Sequence, residues 1–358
     1  MDGVDAALIQ TNGEDAVSLG PSAFFPYQDA DRALLRKAIA DAALLAQRHA
    51  RPGALGEAEA MITERHAEAV EAFLAAESIE RTGVDLIGFH GQTVLHRPER
   101  RLTVQIGRGA DLAQRLRMTV AFDFRAADVA AGGQGAPLMP IFHRALAAAA
   151  NFSGPVIFIN IGGVANLTFV APGEELIACD TGPGNALIDD LLLNRLGLPF
   201  DRDGATAAAG KVNRQILDEL LANPYFAVPP PKSLDRNDFS SAPAERLDTA
   251  DAAATLTAFT AAAIARALAH LPAAPLRAIV CGGGARNKTL MRELALRLPC
   301  PVFAAEVFGW HADALEAQGF AYLAVRRARD LPITFPMTTG VREPLPGGVL
   351  AGPRARTR

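Results

Sequence analysis

Apolar and polar positions alternate most clearly in the second half of the chain. PVIFINIGG, ANLTFV and EELIACD are three short apolar runs divided by turns, the pattern of an antiparallel meander. Helical spacing follows over residues 185–196, 206–222 and 250–270, with Asn185 placed to cap the first. LRAIVC then reads as a buried strand, 287–298 as a helix, PVFAAE as a strand and 312–329 as a closing helix. The first half follows nearly the same order. VDAALIQ and DAVSLG flank Asn12–Gly13, a dipeptide suited to a tight hairpin. Helices are predicted over 30–50 and 55–78. In the second of these, Ile62, Ala69, Val70, Phe73 and Leu74 form one apolar stripe with His66 beside it, and a histidine so placed reads as packing. VDLIGFHG is a buried strand, TVLHR and LTVQIG a further hairpin, TVAFDF another strand and 138–149 a helix.

Two halves sharing one order of elements predict an α/β chain of two similar domains. The first half opens with two strands and the second with three. The first strand of the N-terminal domain is therefore expected to be missing, with the natural start lying upstream of Met1.

The length of 358 residues suits two domains that each bury a core. A formal charge of −4 argues against binding nucleic acid through phosphate attraction. Cys179, Cys281 and Cys300 are scattered and odd in number, which fits neither a disulfide framework nor a zinc spacing. They read as buried thiols in a reducing compartment. No secretory pattern opens the sequence, and the Ala-rich stretch DAAATLTAFTAAAIARALAHL is broken by Arg266. A cytoplasmic enzyme without a membrane span is the expectation.

Three glycine-bearing turns carry the candidate chemistry. NIGGVANLT joins two strands; adjacent glycines there form either a phosphate nest or a plain hairpin with a glycine bulge. CGGGARNKTL joins a strand to a helix, an arrangement that suits a nucleotide. A dinucleotide fingerprint is excluded, because too little chain remains after Glu306 to build that domain. In ACDTGPGN, Asp180 is expected to close a strand, either as a turn-former or as a general base facing a cleft. FHGQT and FDFRAADVAAGGQGAPL likewise set polar groups after buried strands, where open sheets hold ligands. His90 and His96 lack the further ligands of a metal site.

MDGVDAAL, GFHGQTVLHRP, VAFDFRAADVAAGGQGAPL, NIGGVANLT, CDTGPGNALID, PPPKS, CGGGARN and HADALEAQGFAYLA together resemble the anhydro-N-acetylmuramic acid kinase family along almost the whole chain. The resemblance implies membership of the acetate and sugar kinase, heat-shock chaperone and actin superfamily. It implies two ribonuclease H-like domains with ATP in the cleft between them, here at residues 1–152 and 153–310, with 311–358 returning towards the first. The implied reaction adds water across the anhydro bond of 1,6-anhydro-N-acetylmuramic acid and phosphorylates O6, in peptidoglycan recycling. A related sugar kinase and a non-catalytic nucleotide-binding protein remain as alternatives. By the same resemblance Asp180 is the catalytic base. Glu316 lines the sugar site, with His90, Asp123, Arg125 and Gln134 as further sugar contacts. Asp2, Gly3, Gly162, Gly163, Asn166, Gly282, Gly283 and Asn287 contact ATP. Mg²⁺ is expected with the nucleotide, held mainly through water, and a homodimer is a further expectation. KSLDRNDF departs from the Ser-Thr-Gly that the family favours after its lysine, here Lys232.

Overall fold

The computed structural model describes residues 2–234 and 238–352. The expected start at Met1, the DRN of KSLDRNDF and the end of the expected tail lie outside the described residues. The chain divides into two compact units, one formed by residues 1–149 with 314–358 and one by 150–313.

The contiguous unit is built on β7 (Val156–Ile161), β8 (Val164–Val170), β9 (Ile177–Pro183), β10 (Arg277–Cys281) and β11 (Val302–Ala304), in the order β11-β10-β7-β8-β9. The meander β7-β8-β9 is antiparallel, and β10 runs parallel to both β7 and β11. Between β9 and β10 come α6 (Ala186–Leu196), α7 (Ala205–Ala209), α8 (Arg214–Leu221) and α9 (Thr249–Ala267); α10 (Lys288–Arg297) joins β10 to β11. The helix and its terminal turn, Thr249–His270, are long and apolar enough to cross a membrane. However, 78% of the apolar window is buried within the protein, where Phe259 packs on Phe226. The single helix expected over 206–222 is two helices. Gly210 lies at the break, where a side chain would strike the carbonyl of Ala250 at 2.0 Å, and Asn213 caps α8.

The other unit begins with β1 (Gly3–Thr11) antiparallel to β2 (Val17–Pro26). Their connection is wider than the tight turn expected of Asn-Gly. The Asn12 side-chain oxygen accepts from the N–H groups of Glu14 and Ala16 at 2.9 and 3.0 Å, so its own hydrogen bonding organises a longer loop. Next come α1 (Asp29–Ala42), α2 (Leu55–Ala76), β3 (Ile87–Phe89), the hairpin β4 (Gln92–Arg97) with β5 (Leu102–Ile106), and α3 (Gly109–Leu116). β6 (Val120–Phe122), α4 (Ala126–Ala130) and α5 (Pro140–Ala149) complete the first segment. The second segment supplies α11 (Leu315–Ala328), α12 (Pro336–Thr339) and β12 (Val349–Ala351), an unforeseen strand that pairs antiparallel with β6. β3 and β6 are parallel neighbours, as β10 and β11 are. His66 is buried against Phe89 and bonded to the Ile62 carbonyl at 2.7 Å, and burial holds it neutral by depressing its pKa to about 4.

Among the described residues no ladder joins β1 to β3. A cavity of about 1220 Å³ is lined by β1, β3 and apolar side chains including Phe73 and Phe320.

Candidate active site

Asp180 is not at the end of its strand. β9 runs on through Thr181 to Pro183, with a bulge opposite Ala165–Asn166 and the Thr181 hydroxyl donating to the Ala165 carbonyl at 3.1 Å. The turn-former reading therefore fails, because Asp180 holds a ladder position opposite Asn166. Register continues from Asn166 to Asn160 on β7, and from Asn160 to Cys281 on β10. Residues paired across a ladder share a face, so Cys281, Asn160, Asn166 and Asp180 form one row across four strands. Asn160 was missed in the sequence because a lone Asn in VIFINI carries no local signal; only the ladder puts it in line with Asp180.

Asp180 keeps part of its surface open, but its carboxyl is set deep in protein. Burial raises its pKa from 3.8 to about 6, opposed by one hydrogen bond from the Leu234 backbone N–H at 2.8 Å. A carboxylate with that balance is ionised near neutrality and is still basic enough to take a proton. The neighbouring Cys179 is the reverse case. It is 1% exposed and burial pushes its thiol up to about 12, so it stays protonated.

The glycine loops surround this row. Gly162–Gly163 is a two-residue hairpin turn between β7 and β8. Its carbonyls accept from Gly184, Asn185 and Ala186 at 2.8–3.2 Å, which engages the first N–H groups of α6. Gly162 N–H donates to Val164, leaving Gly163 N–H with no backbone acceptor among the described residues. The space over the turn is open: a Cβ on Gly162 or Gly163 would have its nearest neighbour at 3.8 or 3.7 Å. Asn185 sits at the N-cap position of α6 without the expected capping bond. Its amide nitrogen donates instead to the Ile161 carbonyl at 3.2 Å. Gly282 has φ +75°, and a side chain there would meet Asn160 Oδ1 at 2.5 Å, so the loop needs glycine to pass over the polar row. Gly283 starts a 3₁₀ turn, Gly283–Arg286. Asn287 is 7% exposed and caps α10 by accepting from Leu290 N–H at 2.9 Å.

In the unit that carries β1, His90 follows β3 and packs on the Phe320 ring at 4.5 Å. Burial, with the Arg125 charge beside it, lowers its pKa to about 3. Neutral His90 Nε2 thus accepts from Arg125 Nη2 at 3.3 Å. Arg125 also donates to the Gly135 carbonyl at 2.9 Å, and its own pKa is lowered by burial, with Glu316 and Asp128 opposing. Glu316 lies in the first turn of α11 and, with His90, lines the cavity described above. The structure thus groups His90, Arg125 and Glu316. Asp123 is differently engaged: at φ +59° its carboxylate takes both oxygens to Arg48 Nη2 at 2.7 Å. Gln134 donates its backbone N–H to Thr339 at 2.6 Å. Asp2 is exposed at the foot of β1, its carbonyl accepting from Tyr27 N–H at 2.8 Å. Gly3 is explained by packing, since a Cβ there would meet the Phe25 carbonyl at 2.2 Å.

A family model described as anhydro-N-acetylmuramic acid kinase matches residues 1–351. A protein of that name from Rhodopseudomonas palustris (strain BisB18) is 55% identical over 354 residues, covering 99% of this chain and 97% of the relative. One from Azorhizobium caulinodans is 55% identical over 358 residues, covering 99% and 96%. Among solved structures, component A of the (R)-2-hydroxyglutaryl-CoA dehydratase of Acidaminococcus fermentans is similar at 11% identity with a TM-score of 0.46. It covers 91% of this chain and 99% of that one. A likeness so slight carries no weight beside the sequence relatives. With full-length identity above half and a family match across both units, the chain belongs to the anhydro-N-acetylmuramic acid kinase family.

Proposed function

We propose that this chain uses ATP to convert 1,6-anhydro-N-acetylmuramic acid into N-acetylmuramic acid 6-phosphate, a step of peptidoglycan recycling. Family membership supplies the reaction. The observation that ties it to this chain is the carboxyl of Asp180, buried, ionisable near pH 6 and aligned with a row of polar side chains. Opening a glycosidic bond with inversion ordinarily takes two carboxyl groups, a base for water and an acid for the departing oxygen. Here the departing oxygen is O6, and the γ-phosphoryl group captures it. Asp180 takes a proton from water, the water oxygen bonds to C1, the C1–O6 bond breaks, and O6 bonds to phosphorus as ADP leaves. One base is sufficient.

The open space over Gly162–Gly163 and the Gly282–Gly283 loop support ATP binding there, with Asn166 beside the phosphates and Asn287 holding the loop through its cap. Asp2 and Gly3 are assigned to the nucleotide by resemblance. Mg²⁺ would neutralise charge on the β- and γ-phosphates. His90, Arg125 and Glu316 are assigned to the sugar; Asp123 and Gln134 act through the loop they organise. We read each unit as a ribonuclease H-like domain, 153–310 in one and 1–152 with 311–358 in the other. The strand order β9-β8-β7-β10-β11 supports this reading.

A phosphate-transfer assay with the anhydro sugar, run beside simple hexosamines, tests the proposal. Transfer to the anhydro sugar alone is the expected outcome. Transfer to a hexosamine alone makes the chain a different sugar kinase, and no transfer to either makes it a nucleotide-binding protein without this activity.

A further inference from the structure

We propose that the stretch from Tyr225 to Leu234 is a brace that positions the Asp180 carboxylate, acting through the backbone N–H of Leu234. The proposal rests on Asp180 being the base. On one side β9 pairs with β8; on its other side, at Asp180, three hydrogen bonds tie it to this stretch. Asp180 N–H donates to the Lys232 carbonyl at 3.0 Å. Leu234 N–H donates to Asp180 Oδ2 at 2.8 Å. The Tyr225 hydroxyl donates to the Asp180 carbonyl at 2.7 Å. The stretch is locked on itself: Lys232 Nζ donates to the Tyr225 carbonyl at 3.0 Å and lies 4.3 Å from the centre of its ring. Tyr225 packs edge-on against Phe226 and Phe239, and its N–H is held by Asn223 at 2.9 Å. Main chain and carboxylate are therefore gripped separately, leaving Oδ1 without a hydrogen-bond partner among the described residues.

The groups facing Asp180 within its unit are few. Cys179 on its own strand is protonated. Asn166 opposite is uncharged. On the brace, burial raises the Tyr225 hydroxyl far above its usual range, and Lys232 turns its ammonium to Tyr225. Leu234 N–H is thus the donor that stabilises the charged carboxylate against burial.

The test replaces the amide N–H of Leu234 by an ester oxygen, introduced as the α-hydroxy analogue of leucine in the full chain. The Asp180 carboxyl is then titrated by carbon-13 NMR alongside the pH profile of kcat/KM. Removing the donor should move the carboxyl titration, and the acid limb of the profile, up by about one pH unit. Leu234→Ala, which keeps the N–H, should leave the titration in place. An ester variant with unchanged titration overturns the brace. Should the ester variant fail to fold, Tyr225→Phe releases the main-chain grip and should shift the titration the same way by less; no shift in that variant overturns the proposal too. Because NMR reads the carboxyl directly, failure of the base reading, seen as full turnover in Asp180→Asn, is distinguished from failure of the brace.

Discussion

Asp180 carries two opposed effects that one substitution separates. As the base it must be ionised, so kcat/KM should rise with pH through about 6 and level off above it. Asp180→Asn keeps the shape and removes the basicity, and turnover should fall about 10²–10⁴-fold with ATP affinity little changed. A flat profile across pH 5–7 in the unmodified protein would contradict the assignment. For stability the sign reverses. The folded pKa of about 6 lies above the ordinary 3.8. The folded state therefore holds the proton more tightly, and the cost of burying the charge is absent below pH 3.8 and complete above pH 6. Asp180→Asn should accordingly stabilise the fold above pH 6 by on the order of 1–3 kcal/mol, and by nothing near pH 3.5. Chemical denaturation at the two pH values decides it.

At the scale of elements, two side chains hold loops to helices. Asp128 is 1% exposed and accepts from Gly135 N–H and from the Thr339 hydroxyl, both at 2.6 Å. It joins the glycine loop after α4 to α12. Asp128→Ala leaves two buried donors without a partner and should cost about 2–4 kcal/mol, read from the denaturation midpoint. Asn287 belongs to α10 first. Asn287→Ala should cost about 1 kcal/mol through the lost cap, whereas Asn287→Ser keeps a capping oxygen and should recover most of it. If ATP affinity follows stability through both variants, the residue serves the nucleotide only by holding its loop. A loss of affinity in Asn287→Ser with stability kept would mean direct contact.

At the scale of the molecule, the two units differ in how the chain builds them. One is continuous over 150–313, and its five strands come from that stretch alone. The other needs both ends. Helix α11 brings buried Phe320, Tyr322 and Leu323 to it, Arg326 donates to the Gly13 carbonyl at 2.8 Å, and β12 adds to β6. Residues 150–313 expressed alone should therefore give a dispersed NMR spectrum and a cooperative melt. Residues 1–149 alone should give neither, and addition of 314–358 should be required.

Much of the fold was legible because it rests on local pattern. Short apolar runs marked β7, β8 and β10, helical stripes marked α2 and α9, and the glycine loops stood out as breaks between them. The candidate site's residue types, whose roles rest on the resemblance, stood out through the motifs, Asp180 foremost. Other features were decided by contacts between residues distant in sequence. Asp180 sits inside β9 because Asn166 and the brace pair with it from both sides, which no turn signal in DTGPG announces. Asn160 joins the polar row only through register. Asp123, read as a sugar contact, is paired with Arg48, 75 residues away. β12 is too short to mark itself and exists because β6 offers it an edge. A sequence declares what a segment prefers, since propensity and periodicity act over a few residues. Which backbone edge a segment meets, and which charge faces which, is set only when the folded chain brings remote groups into one low-dielectric place.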